Sequence, residues 1–371
     1  MSTGRYGRVR GVTAAAFLVA GLVALGAGRP VGAAKQPMCT TTSKGGTWSD
    51  PAAWSADQVP LSTDEACISG LNATVELTGF EGTAHTLQLG LVKTDTANLD
   101  ITDSGACGST GLTVDGGISV GPHGRTRIQL FSQCPDDTLI DVGSASLVLN
   151  HNGRLLNEGR DDYGTTQVIH GNVVNNGRFG SDELSEGRTQ ITGNYTQGAG
   201  GLLLAGSNSL TPTSPIVVGG SASLNGTILV GIPQPDQLGQ TWTVLPAASI
   251  TGTFASEQTW GNFGARYPRL SYTPTEVDAT LVVAGIAADP NTAPPGAQIT
   301  ITGTTFPPGD HVVLSFKDHG KFSLGTATTD ASGAFTDQVT IPADAPAGTV
   351  TIRADSTFLH TLEATTKLTI S

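Results

Sequence analysis

The chain has 371 residues, a formal net charge of −12 and 13% charged residues. An acidic chain of this kind is a poor candidate for binding nucleic acid or an anionic membrane, because neutralising phosphates requires clustered Lys and Arg. Its 49 glycines, with abundant Thr, Ser, Val and Asn, favour β-structure over helix. The length alone predicts two or three domains.

Residues 1–34 have the layout of a secretory signal peptide. Arg5, Arg8 and Arg10 precede an apolar run, and small residues suitable for cleavage end at Ala33 and Ala34. This stretch holds four arginines and no acid, so its removal takes the formal net charge from −12 to −16. No later segment has the roughly 18 apolar residues of a membrane span. We therefore expect an extracellular protein, free or associated with a cell surface, whose mature chain does not span a membrane.

Four cysteines in an exported chain predict two disulfides, for which three pairings are possible. The pairings that close the shortest loops are Cys39 with Cys67 and Cys107 with Cys134, and these are the ones we expect. Both bonds would lie in the N-terminal part of the chain.

The segment GTWSDPAAWSADQVPLSTDEACISG, residues 46–70, has neither a helical nor a strand period. Trp48 and Trp54 could form an exposed platform for a sugar ring, or they could pack over the end of a core. Their turn-rich setting beside a cysteine favours packing. We therefore interpret residues 35–70 as an N-terminal cap.

A weak repeat occupies residues 71–285. Its units begin with an apolar residue, continue with Gly and a short alternating run, and turn again at Gly or Asn; the leading positions are Val114, Val142, Ile169, Ile191 and Val218. A unit of this size cannot bury its own apolar face and must stack on its neighbours. Alternation with a period of two indicates strands. The sequence predicts a right-handed parallel β-helix, closed by hairpins at residues 239–283, with a β-sandwich as the alternative.

Two sets of side chains recur at the turns of these units. The first is a set of asparagines that could form hydrogen-bonded ladders: Asn150, Asn152, Asn175, Asn176 and Asn225. The second is Arg125, Arg154 and Arg178, each of which follows a glycine. If the turns are in register, these arginines stack about 4.8 Å apart and could bind an anionic polysaccharide. The alternative is a solvated column neutralised by acids nearby in sequence: Glu158, Asp161, Asp162, Asp182 and Glu183.

The sequence pattern changes after residue 285, where the repeat ends. Residues 286–296 form a Pro- and Ala-containing stretch that we expect to be a linker. Residues 297–371 show short alternating strands separated by PPG, DASG and PAG turns, which is typical of a β-sandwich.

Both regions resemble known protein types. The pattern W-S-D-P-x-x-W, followed by V-P and D-x-A-x-I, is similar to the start of many bacterial secreted β-helical surface proteins, including autotransporter passengers. The runs GNYTQGAGGLLL, GTILVG and WTVLPAASITGTF resemble the end of such passengers. The phrase SGAFTDQVTIPADAPAGTVTI resembles bacterial immunoglobulin-like modules, which usually act as spacers or adhesion units. No segment resembles a translocator barrel, so we do not expect an autotransporter. The resemblance implies an architecture but no catalytic motif.

Catalytic patterns are weak in this sequence. The adjacent acids Asp136–Asp137, Asp161–Asp162 and Asp182–Glu183 could serve a polysaccharide hydrolase or lyase, but Asp is also favoured in turns for its own hydrogen bonding. The seven histidines show no metal-ligand spacing. We expect a non-catalytic structural or adhesive protein without metal or cofactor, whose partner is an extracellular polysaccharide or a cell-surface protein.

Overall fold

The computed structural model describes residues 39–102, 111–131, 137–157, 166–181, 188–206, 215–233, 237–260, 264–317 and 322–371. These ranges consist of strands and turns, with one short 3-10 helix at Pro51–Ala53. None of them contains a helix that is long and apolar enough to span a membrane.

The strands of the repeat region are β1 (Thr41–Ser43), β2 (Gly46–Thr47), β3 (Glu65–Ile68), β4 (Thr74–Thr78), β5 (Glu81–Ala84), β6 (Thr86–Leu89), β7 (Asn98–Thr102), β8 (Gly111–Val114), β9 (Ile118–Val120), β10 (Thr126–Phe131), β11 (Asp137–Leu149), β12 (Gly153–Asn157), β13 (Thr166–Asn175), β14 (Arg178–Ser181), β15 (Arg188–Ile191), β16 (Tyr195–Gln197), β17 (Leu202–Ala205), β18 (Ile216–Leu224), β19 (Thr227–Val230), β20 (Thr241–Gly252), β21 (Ser256–Thr259), β22 (Arg266–Tyr272) and β23 (Glu276–Val283). The C-terminal strands are β24 (Gly285–Asp289), β25 (Thr292–Ala293), β26 (Gln298–Thr304), β27 (His311–Phe316), β28 (Ser323–Thr328), β29 (Phe335–Thr340), β30 (Gly348–Ser356) and β31 (Glu363–Ile370).

Strands of the repeat region pair in parallel with the equivalent strands of the next turn, which makes this region a β-solenoid. One wall, here called wall 3, is a nine-stranded sheet in the order β2-β4-β7-β10-β12-β14-β17-β19-β21. The two other walls, walls 1 and 2, both belong to a second, 14-stranded sheet. Long strands such as β11 bend and contribute to both walls. In wall 1, Ile140–Asp141 of β11 pairs with β8, and in wall 2, Leu147–Leu149 pairs with β9. The predicted β-helix is confirmed and the β-sandwich alternative is wrong. The right-handed sense of the solenoid stays a prediction, which follows from the strong preference of connections between parallel strands for a right-handed path.

Side chains from successive turns form continuous columns inside the solenoid. On wall 3 one column contains, in register, Val75, Leu99, Ile128, Leu155, Phe179, Leu203 and Ile228. All seven are fully buried. Burying each such side chain contributes about 1.5–3 kcal/mol, and most of that burial comes from the neighbouring turns. The turns are therefore stable only as a stack.

The predicted leading positions of the repeat are correct for three turns and displaced for two. Ile169, Ile191 and Val218 pair in register on wall 1. The preceding partner of Ile169 is Ile140 and not Val142, and Ile140 pairs in turn with Leu112 and not with Val114. Each displaced position lies two residues from the observed one, so its side chain still points into the core.

The N-terminal end is closed by the two tryptophans. Trp48 and Trp54 are 0% and 2% exposed, and their rings meet edge to face with centroids 5.0 Å apart. Trp54 Nε1 donates a hydrogen bond of 2.9 Å to the carbonyl of Trp48. Neither ring presents a face to a ligand, so the packing interpretation holds.

The disulfide between Cys39 and Cys67 is confirmed. It joins the chain just before β1 to strand β3, with which β1 pairs in parallel. The predicted cap segment, residues 35–70, therefore already contains solenoid strands. The predicted bond between Cys107 and Cys134 lies outside the described residues.

The asparagine ladder differs from the predicted one. It runs through Asn172 and Asn194 and uses backbone donors: Asn172 Oδ1 accepts from the backbone N–H of Asn194, and Asn194 Oδ1 accepts from the backbone N–H of Ser221. Of the predicted residues, Asn150 bonds to Ser119 and Asn175 bonds to Tyr195. These side-chain amides connect turns through unlike partners, so in the described ranges they do not form a column of asparagine alone.

The C-terminal end of the solenoid is closed by antiparallel strands, as predicted, in the order β20-β23-β22. Two sheets follow, β24-β26-β29 and β25-β31-β30-β27-β28, and they share one apolar core. Tyr267 of the closing hairpin is buried in that core and donates to the carbonyl of Thr305 at 3.0 Å. The stretch interpreted as a linker, 286–296, contains β25 and most of β24, which pair within these two sheets.

A carboxyl group occupies the last position of the buried wall 3 column. Glu257 pairs in register with Ile228, the last of the seven buried apolar residues of this column. Burial raises the pKa of Glu257 to about 7, and a hydrogen bond from the Leu270 backbone opposes this only partly. Tyr267 and Tyr272 of the closing hairpin interact with this carboxyl group, and burial raises the pKa of both phenols.

This position predicts an unusual pH dependence of stability. Between pH 4.5 and 7 the folded protein holds the Glu257 proton while the unfolded chain releases it, so the free energy of unfolding falls as pH rises. The full difference is about 3 kcal/mol. We expect Glu257→Gln to match wild type at pH 4 and to exceed it by about 2–3 kcal/mol at pH 8, measured by denaturant unfolding. Glu276→Gln, which alters an exposed carboxylate on β23, is the control; an equal gain from both variants would contradict the assignment.

The cap predicts a second stability effect. Trp54→Ala should lower the free energy of unfolding by about 3–5 kcal/mol, because it leaves a cavity at the end of the core.

Replacing Cys39 and Cys67 by serine should lower the free energy of unfolding by about 3–4 kcal/mol, because a long loop is released in the unfolded chain. Denaturant unfolding followed by tryptophan fluorescence measures both. Leu61→Ala, at an exposed position of the same segment, should change stability by less than about 0.5 kcal/mol.

Candidate anion-binding site

Three arginines form a column on the outer face of wall 3. Arg127 pairs in register with Arg154, and Arg154 pairs in register with Arg178. Neighbouring strands lie about 4.8 Å apart, so the three side chains leave the wall at successive steps of that length. The predicted column is therefore present, but its first member is Arg127 and not Arg125.

Arg125 lies outside the column because the connection between walls 2 and 3, here called a corner, is longer in its turn than in the next. Val120 pairs with Leu149, and Thr126 pairs with Gly153. Five residues, 121–125, thus connect wall 2 to wall 3 in one turn, and three residues, 150–152, do so in the next. Arg125 lies in the longer corner, where its amide donates to the carbonyl of Asp95 at 2.8 Å.

Glycine precedes Arg154 and Arg178 because the corners stack too closely for a side chain. A Cβ atom on Gly153 would lie 2.2 Å from the carbonyl oxygen of Val120. A Cβ atom on Gly177 would lie 2.2 Å from the carbonyl oxygen of Gly153. The residue after each glycine is the first to point outward on wall 3, which explains the repeated Gly-Arg pair.

Among the residues that the structure describes, no carboxylate forms an ion pair with the column. Burial lowers the pKa of Arg154, and the neighbouring guanidinium groups of Arg178, Arg125 and Arg127 lower it further. The Nε atoms of Arg127 and Arg178 are buried without a hydrogen-bond partner in the described ranges. Both ion pairs found there, Lys317–Glu363 and Arg353–Asp355, lie in the C-terminal domain. A bound anion would relieve the repulsion and supply the acceptors that guanidinium groups require.

A groove of about 270 Å³ opens at one end of the column, and we call it the arginine groove. It spans four successive turns of the solenoid, and the residues that line it are Asn72, Thr96, Asn98, Arg125, Thr126, Arg127 and Arg154. Arg125, although absent from the column, therefore belongs to the site. The groove combines three guanidinium groups with amide and hydroxyl groups.

The character of wall 3 changes along the solenoid axis. Before the arginines, Glu76 and Asp100 pair in register at the next outward position of β4 and β7. After Arg178, the same column continues with Leu202, which packs against an outer apolar cluster of Leu156, Leu204 and Leu229. The positive segment is thus bounded by carboxylates on one side and by apolar side chains on the other.

Most of the remaining candidate residues lie outside the part of the chain that the structure describes. Of the acid pairs considered for catalysis, Asp136, Asp161, Asp162, Asp182 and Glu183 lie outside the described residues, as does the side chain of Asp137; Glu158, named with the neutralising acids, also lies outside them. In the described part of the chain, no group of three or more His, Cys, Asp or Glu side chains could hold a metal ion.

Sequence reasoning missed Arg127, Asn72, Thr96 and Asn98. For Arg127 a signal exists: the column arginines are followed by a large apolar residue, Ile128, Leu155 or Phe179, whereas Arg125 is followed by Thr126. The other three residues come from turns that contain no arginine, so no repeated motif marks them.

No known protein-family model matches this chain, and no curated protein sequence matches it.

The register of the column can be tested by disulfide trapping. Neighbouring in-register positions fall within the 4.4–6.8 Å Cα separation that a disulfide spans. We expect the double variant Arg127→Cys with Arg154→Cys to form a new bond under mild oxidation, detected by mass spectrometry of peptides. Arg125→Cys with Arg154→Cys is the matched control and should remain reduced. Preferential bonding of the control pair would show that the sequence-based register was correct.

Proposed function

We propose that this protein is a secreted, non-catalytic structural or adhesive protein that holds an anionic polysaccharide along wall 3. The observation that carries the proposal is the in-register column of Arg127, Arg154 and Arg178. Arginine binds carboxylate and sulfate groups through paired, charge-assisted hydrogen bonds, which gives geometric specificity as well as affinity. An extended polymer with regularly spaced anionic groups can contact several arginines at once and gains from that multivalency.

The sequence adds the setting for this activity. The signal peptide predicted at residues 1–34 would export the chain, and a net charge far from zero favours solubility outside a cell. The C-terminal domain resembles bacterial immunoglobulin-like modules in sequence, and we propose that it acts as a spacer or an adhesion unit. Tyr267 connects the two parts through packing and a hydrogen bond, so a load on the polymer would reach both.

Retention on immobilised polymers tests the proposal. The purified protein should bind polygalacturonate, alginate or heparin and should not bind neutral dextran. Arg154→Gln and Arg178→Gln should each weaken binding by about 10- to 100-fold, because each removes a charge-assisted contact of about 1.5–3 kcal/mol. Binding of wild type should also weaken as salt concentration rises.

Arg269→Gln is the matched control, because Arg269 is exposed on β22 in the closing hairpin, away from the column. Equal losses in the control and the column variants, or no retention of wild type on any anionic polymer, would contradict the proposal. Release of reducing ends or unsaturated products during incubation would instead favour a polysaccharide-degrading enzyme.

A further inference from the structure

The arginine groove differs chemically from the rest of the column. Beyond the groove, at Arg178, a ligand meets guanidinium groups and then apolar side chains. Within the groove, the amides of Asn72 and Asn98 and the hydroxyl of Thr96 lie beside Arg127 and Arg154. Guanidinium groups alone would bind many kinds of anion. Amides and hydroxyls add donors and acceptors suited to a ligand that also carries hydroxyl groups.

The uncharged groups of the groove are held in place by the neighbouring turn. The backbone N–H of Asn72 donates to Thr96 Oγ1 at 2.6 Å, and the Thr96 hydroxyl donates to the side-chain oxygen of Asn72, Oδ1, at 3.0 Å. Asn98 Nδ2 donates to Thr74 Oγ1 at 3.3 Å. Within the described ranges, Asn72 Nδ2 and Asn98 Oδ1 make no hydrogen bond. A donor and an acceptor are thus fixed before any ligand arrives, which reduces the entropy lost on binding.

We infer that the arginine groove binds one sugar ring that carries a carboxylate. The carboxylate contacts the guanidinium groups of Arg127 and Arg154, and the ring hydroxyls contact Asn72 and Asn98. A volume of about 270 Å³ lies just below the roughly 300–1,000 Å³ of pockets for drug-sized ligands, so it suits one ring. The inference rests on the proposed function and adds the ligand class and its placement.

The surrounding charges fix the orientation of the ligand. Glu76 and Asp100 lie two residues beyond Thr74 and Asn98 on the same strands and would repel a carboxylate. The acidic group must therefore point toward Arg127 and Arg154. The next sugars of a polymer then continue over Arg154 toward Arg178, parallel to the solenoid axis. A rung spacing of about 4.8 Å is close to the length that one sugar residue adds to an extended chain.

Calorimetric titration with digalacturonate, its methyl ester and polygalacturonate tests this inference. Digalacturonate should bind wild type, and the uncharged ester should bind at least about tenfold more weakly. Asn98→Ala should weaken digalacturonate binding by about fivefold to tenfold, since one hydrogen bond is lost. Arg178→Gln should weaken polygalacturonate binding by a larger factor than digalacturonate binding, because a disaccharide with one ring in the groove extends only one sugar beyond it. Asn225→Ala, at an exposed corner of another turn, controls for a general effect of removing an amide.

The outcomes separate the groove from the column. If digalacturonate does not bind while polygalacturonate binding still depends on Arg154 and Arg178, the groove inference is overturned and the proposed function stands. If digalacturonate binds as expected but Arg178→Gln has no effect on the polymer, the groove inference stands and the proposed column fails. If Asn98→Ala binds digalacturonate as tightly as wild type, the groove recognises charge alone and the inference is overturned.

Discussion

In-register parallel pairing between successive turns is the constraint on which the rest of this structure depends. Each turn is too small to bury its apolar residues alone, and each strand has backbone groups that only the next turn can satisfy. Stacking solves both problems, and it places equivalent residues of all turns in columns. The two ends then need separate solutions. A tryptophan pair held by a disulfide closes one end, and an antiparallel hairpin closes the other.

The same pairing produces the functional candidate. Columns that point inward concentrate apolar side chains, and the outward column of wall 3 concentrates arginines at the rung spacing. Repulsion along this column is a cost that hydrophobic stacking of the turns offsets, since the core residue beside each arginine is fully buried. Stability of the core thus holds like charges close together in the absence of a ligand. Under the proposed function, an anion with matching spacing would bind without the entropy cost of assembling the site.

Alternation with a period of two explains what the sequence could and could not predict. It predicts which side chains point inward, so the solenoid, the buried tryptophans and two of the three column arginines were accessible. It is insensitive to a shift of two residues, because such a shift preserves the direction of every side chain. Val142 was therefore taken for Ile140, and Arg125 for Arg127, where a longer corner had moved the register. The amides of the groove come from turns with no shared motif, so only the pairing brings them together. Strands β24 and β25 were missed because Pro and Ala obscure their alternation.

The distance between the two ends of one outward column tests this account most directly. Glu76 and Gln258 are exposed and belong to the same column of wall 3, separated by seven strand steps. Spin labels at these two positions should be roughly 34 Å apart in a pulsed double-resonance experiment, at about 4.8 Å per step. A separation of roughly 20 Å or less, as expected if the strands folded back as hairpins in two packed sheets, would contradict the stacked turns and the arginine column together.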